Sequence, residues 1–189
     1  MTPTFDEPSH TYTLDGVRIP SVTQILSFGQ DLSRIPEWTS LRGTAFHLCT
    51  EWDDDGTLDE SSVDPMVRPH LDAYRAWKRA TRPLFLDTEI RVWGDIDGLR
   101  FAGTIDRVYA GPRNKPALLD LKSGQPRKDH GAQLAAYAVA YEQQMQDAIV
   151  ETKGVYCTKE GMFAERPYNG REYLEMFTTK LHRYYEEAK

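Results

Sequence analysis

Residues 118–124 read Leu118-Leu119-Asp120-Leu121-Lys122-Ser123-Gly124, a run in which a carboxylate and an ammonium stand where a structural strand would be apolar. Alternation along a strand projects Asp120 and Lys122 from one face and Leu119 and Leu121 from the other. The pair is either a same-face ion pair or part of a reactive centre. Working back toward the N-terminus, 85–93 and 99–109 are two further strand candidates, separated by the turn signals GDIDG and GPRNKP from each other and from 117–121. The middle strand carries Asp106 between Ile105 and Val108, with Gly103 leaving room for a close approach to the backbone. If these strands are neighbours, Asp106 and Asp120 converge on one divalent cation, and hard oxygen ligands suit Mg²⁺ or Mn²⁺. Such a cation polarises a phosphodiester oxygen and acidifies water, while Lys122 positions that water or neutralises developing charge. The alternative for Asp106 is a salt bridge with Arg107 or another base.

On either side the pattern turns helical. A stretch over 36–51, interrupted by Gly43, sets His47 and Glu51 four apart on one helix face. His47 there is a ligand or a satisfied core or surface residue, and Glu51 is a weaker candidate because it also opens an acidic run. Asp53, Asp54 and Asp55 lack the alternation of a calcium loop and read as a polar helix exit. Asp64-Pro65 predicts the start of a third helix, with Leu71, Tyr74 and Trp77 along one side. A helix over 130–146 aligns Gln133, Tyr137 and Tyr141, either to meet nucleic-acid backbone and bases or to pack with hydroxyls at the rim. A strand near 150–157 and a helix over 171–187 follow. At the other end, 11–14 and 17–19 flank Asp15-Gly16 as a small hairpin, and Ser21 caps the short helix VTQIL. Helix, three strands, helix, strand, helix predicts an α/β sandwich with a central mixed sheet flanked by helices.

The whole chain sets bounds on this reading. A length of 189 residues with 40% hydrophobic content fits one compact domain. A chain of this size buries about 70% of its unfolded surface, so a metal is more plausibly catalytic than structural. Cys49 and Cys157 lack zinc spacing and read as reduced core thiols. The first residues, MTPTFDEPSHTYTL, lack a basic n-region and an apolar h-region, and no apolar run reaches membrane-span length. A soluble, cytoplasmic protein with no membrane partner is expected. The net charge of −6 speaks against a nucleic-acid partner at first sight. From Glu51 to Asp72, however, eight carboxylates face one arginine, Arg68, which leaves the rest of the chain close to neutral. Between Arg113 and His130, five basic residues oppose two acidic ones, so a basic region flanks the Asp120–Lys122 segment.

Taken in order, these stretches resemble the motif series of RecB-like PD-(D/E)XK nucleases. Gly43 to His47 matches a helical G-x-x-x-H, Gly103 to Asp106 a G-x-x-D, Asp120 to Lys122 a D-x-K, and Gln133 to Tyr137 a Q-x-x-x-Y. The resemblance covers about half the chain, roughly residues 42–141. It implies a restriction-endonuclease-like core and metal ligation by His47, Asp106, Asp120 and the backbone carbonyl of Leu121. It makes Lys122 the catalytic lysine, with Asp106, Asp120, Gln133 and Tyr137 in the catalytic set. Ser21, Thr23, Arg42, Ser123, Gln133 and Tyr137 are the DNA contacts it suggests. The segment YTLDGVRIPSVTQIL is similar to the N-terminal region of phage-type and mitochondrial genome-maintenance exonucleases, which lies near the DNA path. Relatives with an iron–sulfur cluster carry four cysteines, so none is expected with two. The expectation is a Mg²⁺- or Mn²⁺-dependent DNA exonuclease that attacks ends through metal-activated water and prefers single strands, alone or beside a separate recombination, repair or replication partner in a phage or bacterial setting. An endonuclease of the same fold and a catalytically idle DNA-binding module are the alternatives. Residues 1–189 form one nuclease domain in this reading: an N-terminal hairpin and short helix over 1–35, a catalytic core over 36–160 and a C-terminal helix over 161–189.

Overall fold

The computed structural model describes residues 3–6, 9, 11–31, 33 and 36–188. Before the main sheet come β1 (Pro3–Asp6), β2 (Thr11–Leu14), β3 (Val17–Ile19), α1 (Val22–Ser27), α2 (Glu37–Asp55) and α3 (Arg68–Thr81). The sheet is built from β4 (Phe85–Ile96), β5 (Leu99–Ala110), β6 (Pro116–Lys122), β7 (Thr152–Cys157) and β8 (Phe163–Pro167), with α4 (Lys128–Met145) between β6 and β7 and α5 (Arg171–Glu187) after β8. Its strand order is β4-β5-β6-β7-β8. All neighbours run antiparallel except β6 and β7, which are parallel. A parallel pair needs a long crossover, and α4 supplies it.

This is the expected α/β architecture, with the mixed sheet covered on both faces. Phe101, Val108, Leu118 and Tyr156 pack with α1, α4 and α5 on one side. Leu119, Leu121, Val155 and Tyr109 pack with Phe46 of α2 and Leu71, Tyr74 and Trp77 of α3 on the other. Burial on both faces explains why β6 is continuously apolar apart from Asp120 and its final Lys122. A separate small sheet, in the order β1-β2-β3, rests through Tyr12, Leu14 and Ile19 on Ala102 and Trp93.

Four details differ from the sequence reading. Helix α2 runs unbroken through Gly43 to Asp55, because Phe46, Cys49 and Thr50 bury its inner face and outweigh the roughly 1 kcal/mol that one glycine costs a helix. Helix α3 begins at Arg68 rather than at Asp64-Pro65. Asp64 instead closes a preceding turn, accepting from Met66 N–H at 2.7 Å and, through its carbonyl, from Arg68 N–H at 3.0 Å. Strand β1 is held through Phe5 and Thr4 against Tyr12 and Thr13, a pairing that its own four residues do not announce. Strand β8 is exposed along its length and ends in Pro167, as an edge strand can, so it has no buried alternation to read.

The two halves of the layered structure meet at Arg107, which has no solvent exposure. Its Nε donates to Asp54 of α2 at 2.8 Å, its Nη1 to Glu89 of β4 at 3.1 Å and to the Asp106 carbonyl at 2.7 Å. Burial works against the guanidinium charge, and Tyr74, Asp54 and Asp106 together hold it above its usual range. The aspartates after Glu51 are thus more than a helix exit: Asp54 anchors Arg107, and Asp53 pairs with Arg75 and Lys78. Removing one member of a buried ion pair strands the other. Arg107→Met is expected to lower stability by about 3–5 kcal/mol in urea unfolding, whereas wild-type stability with this substitution would refute the anchoring role.

Candidate active site

Strand β6 delivers Asp120 into the interior, where an unpaired carboxylate is costly. Lys122 meets part of that cost, with Nζ 2.7 Å from Oδ1. The other oxygen, Oδ2, is buried without a hydrogen-bond partner. Burial pushes the Asp120 carboxyl up, Lys122 opposes the rise and Asp106 adds to it. Burial likewise disfavours the Lys122 ammonium, but Asp120 and Asp106 outweigh it and hold the group above its ordinary range. The ion pair weighed from the sequence therefore exists, but its carboxylate is buried and its ammonium half-buried rather than exposed.

Next to this pair the β5–β6 ladder stops. Its last partners are Arg107 and Leu119, and beyond them Leu121 N–H donates to Asp106 Oδ2 at 2.6 Å instead of to a backbone carbonyl. The strands therefore part where continuation of the register would bring Asp106 opposite Asp120. Asp106 makes no side-chain salt bridge with Arg107, whose charge is directed to Asp54 and Glu89. The other Asp106 oxygen, Oδ1, lies 3.5 Å from Nδ1 of His47 on α2. Burial lowers the His47 pKa, Asp106 raises it and Lys122 lowers it further, so the ring is favoured in the neutral form that binds metals. The backbone of Leu121 opposes that fall.

The sequence reading missed Glu89. On the hairpin of β4 and β5, Thr88 pairs with Arg107 and Ile90 with Ile105, which leaves Glu89 across from Asp106. Its backbone has φ +50°, a left-handed conformation that costs a non-glycine residue about 1–3 kcal/mol. The partner strand is irregular at the same place: Ile105 and Val108, three residues apart, share one core cluster, which strict alternation forbids. Burial and Asp106 push the Glu89 carboxyl up to about 8, against the Arg107 guanidinium. Ligand atoms of His47, Glu89 and Asp106 lie within 4.8 Å of one another, a group that can hold a cation. A signal for Glu89 was present in the sequence. The Asp97-Gly98 turn sets Ile96 against Leu99, and counting back along both strands brings Glu89 to Asp106.

Comparison with protein-family models matches residues 56–188 to the PD-(D/E)XK nuclease superfamily. The chain belongs to the PD-(D/E)XK nuclease superfamily. The matched segment includes Glu89, Asp106, Asp120, Lys122, Gln133 and Tyr137, while His47 precedes it. Among solved structures, the fold resembles that of a protein from Eubacterium rectale described as a "Putative exonuclease", with TM-score 0.60 and 10% identity over 87% of this chain and 77% of that one. The protein SSO0001 is similar at TM-score 0.44 and 15% identity, covering 89% of this chain and 84% of its own. No curated protein matches. No helix among the described residues is long and apolar enough to cross a membrane.

Of the remaining motif residues, Tyr137 lies within the field of Asp120 and Asp106. Gln133 Nε2 donates to the Tyr137 hydroxyl at 3.0 Å, and both side chains are buried under β5. Gly103 is explained by Tyr137, because a Cβ there would overlap the tyrosine ring. Gly43, by contrast, has open space around it, so its missing side chain serves no packing need. Arg42 reaches the Ser123 carbonyl at 3.2 Å and lies over the Trp38 ring, with its Nε buried and unpartnered. Ser21 is a buried cap that accepts from Gln24 N–H, while Thr23 is exposed. Glu51 is half-buried and adds to the negative field at Glu89 without joining the ligand group. Tyr141 is half-buried and packs against the α4-side core.

Two outcomes follow from this geometry. Gly103→Ala is expected to displace Tyr137 and cost about 1–3 kcal/mol in thermal or urea unfolding, and an unchanged melting curve would contradict the contact. For Glu89, the folded carboxyl titrates near 8 and the unfolded one near 4.5, so the metal-free fold retains protons that the unfolded chain releases, and stability falls as pH rises through that window. Glu89→Gln should therefore stabilise the metal-free protein increasingly from about pH 5 to 8, as read by melting temperature. A pH-independent effect would count against the raised carboxyl.

Proposed function

We propose that this superfamily member is a divalent-metal-dependent DNA exonuclease of the RecB-like branch, a single nuclease domain working from DNA ends and preferring single strands. The observation that carries the reading is the convergence of His47, Glu89 and Asp106 beside buried Asp120 and its partner Lys122. The orphaned Oδ2 of Asp120 and the mixture of imidazole and hard carboxylate oxygens fit a cation such as Mg²⁺ or Mn²⁺. His47, Asp106, Asp120 and the Leu121 carbonyl would hold it, with Glu89 as an added ligand. When bound, the ion supplies Lewis-acid polarisation of the scissile phosphate and acidification of water.

The chain's own residues do the rest. Asp120 fixes Lys122 in place, and the ammonium offsets negative charge as it grows on the phosphate oxygens. Leu121 N–H aims Asp106, while the His47 ring, favoured neutral, keeps one nitrogen free of a proton. Gln133 and Tyr137 support this arrangement from α4, and Arg42 and Ser123 offer polar groups toward a phosphate backbone. A cytoplasmic setting and a recombination, repair or replication partner fit such an activity.

The deciding assay is digestion of end-labelled linear single- and double-stranded DNA beside a closed circle, with Mg²⁺, Mn²⁺ or EDTA. Metal-dependent loss of linear DNA, fastest for single strands, is the expected result. Asp120→Asn and Lys122→Ala should each reduce the rate by about a hundredfold or more. Full activity of either variant, or in EDTA, would falsify the mechanism. Cutting of the circle would make the protein an endonuclease, and metal-independent binding without turnover would make it a binding module.

A further inference from the structure

We propose that the cleft between the small β1–β2–β3 sheet and strand β4 receives one unpaired nucleobase of the substrate strand, immediately beside the carboxylate cluster. The proposal rests on the reading as a DNA nuclease and names a subsite that the catalytic motifs do not contain. The cleft has a volume of about 220 Å³ and is lined by Thr4, Phe5, Tyr12, Thr13, Arg91 and Trp93, among others. Three aromatic side chains from three different strands thus border one concave space, Phe5 and Trp93 half-buried at its surface and Tyr12 buried at its floor.

Its chemistry combines a flat apolar lining with one cation. The Phe5 and Tyr12 rings meet at 4.6 Å with a tilt of 40°, and the Arg91 guanidinium lies 4.7 Å over Phe5. Arg91 is exposed, and no carboxylate pairs with it among the described residues. An apolar ligand would have no use for that charge, and an isolated phosphate would have no use for the rings. A nucleotide with its base unstacked uses both, since aromatic faces accept any base and arginine meets its phosphate. A base inside a duplex has its faces covered by its neighbours and does not fit such a cleft without being extruded.

Position ties the cleft to the reaction. Tyr12 donates to or accepts from Thr104 at 2.9 Å, and Thr104 stands two residues before Asp106 on β5. With a rise of about 3.3 Å per strand residue, their Cα atoms are only about 6.6 Å apart. Arg91 is likewise two residues beyond Glu89 on β4. A strand whose phosphate sits at the carboxylates therefore places an adjacent nucleotide over the rings, and preference for single strands follows from the shape of the cleft.

Binding without turnover provides the test. A fluorescent oligothymidylate and a series carrying one abasic site at successive positions from the end are titrated in Ca²⁺ and in EDTA, using anisotropy, against wild type, Arg91→Gln and Phe5→Ala. In wild type, one position near the end should lose about tenfold in affinity when its base is removed, and the other positions far less. In both variants, which change partly or fully exposed side chains, that single penalty should shrink to about twofold or less. A uniform profile in wild type, or a penalty unchanged in the variants, would overturn the cleft assignment while leaving the nuclease reading intact. Failure of the intact oligonucleotide to bind in either condition would instead remove the DNA reading on which the cleft depends.

Discussion

One buried guanidinium governs the geometry of this protein. Arg107 joins helix α2 through Asp54 to the β4–β5 hairpin through Glu89 and its own strand. It is also the neighbour of Asp106, so the cation that binds the layers together sets the backbone from which a candidate metal ligand projects. Its charge is taken by Asp54 and Glu89, and this leaves the Asp106 carboxylate for Leu121 and His47. Were Arg107 to turn to its neighbour instead, the cluster would collapse into an ordinary ion pair. The anchoring residue and the candidate metal ligand are neighbours along one strand.

The cluster itself is a concentration of unfavourable terms. Asp120 is buried with one oxygen unsatisfied, Glu89 is held in a strained backbone, and the two carboxyls are both raised by Asp106. None of these arrangements helps the metal-free fold. They coincide at the place where β5 leaves β6 and where the hairpin loses its regular alternation. A divalent charge held here would relieve the repulsion, so the unfavourable terms fit a site shaped for a cation rather than for maximal stability.

Much of this could be read in advance, and what could not has identifiable causes. The strands with strong apolar content, β5 and β6, announced themselves, as did the amphipathic helices and the Asp97-Gly98 turn. Asp106, Asp120, Lys122 and His47 stood out because each puts a charge or a ring nitrogen into an otherwise apolar context. The exposed strands β1 and β8 carry no such contrast, and nothing local marks them. The duties of Asp54 and Arg107 depend on a contact between residues far apart in sequence, which composition reads as an acidic run and a surface base. Glu89 lies between: hairpin counting places it across from Asp106, but its strained backbone and its place in the ligand group require coordinates.

The parallel pairing of β6 with β7 has a consequence for synthesis. Asp106, Asp120 and Lys122 leave the ribosome well before Thr152–Cys157, the strand that covers the free edge of β6. Until then Leu118, Leu119 and Leu121 lack a neighbour on that side, and helix α4 has no second strand to bridge. The growing chain therefore carries Asp106, Asp120 and Lys122 before the strand that pairs with β6 exists. Gly154 and Tyr156, the strand partners of Asp120 and Lys122, are made last, so translation order sets when β6 becomes fixed between two neighbours.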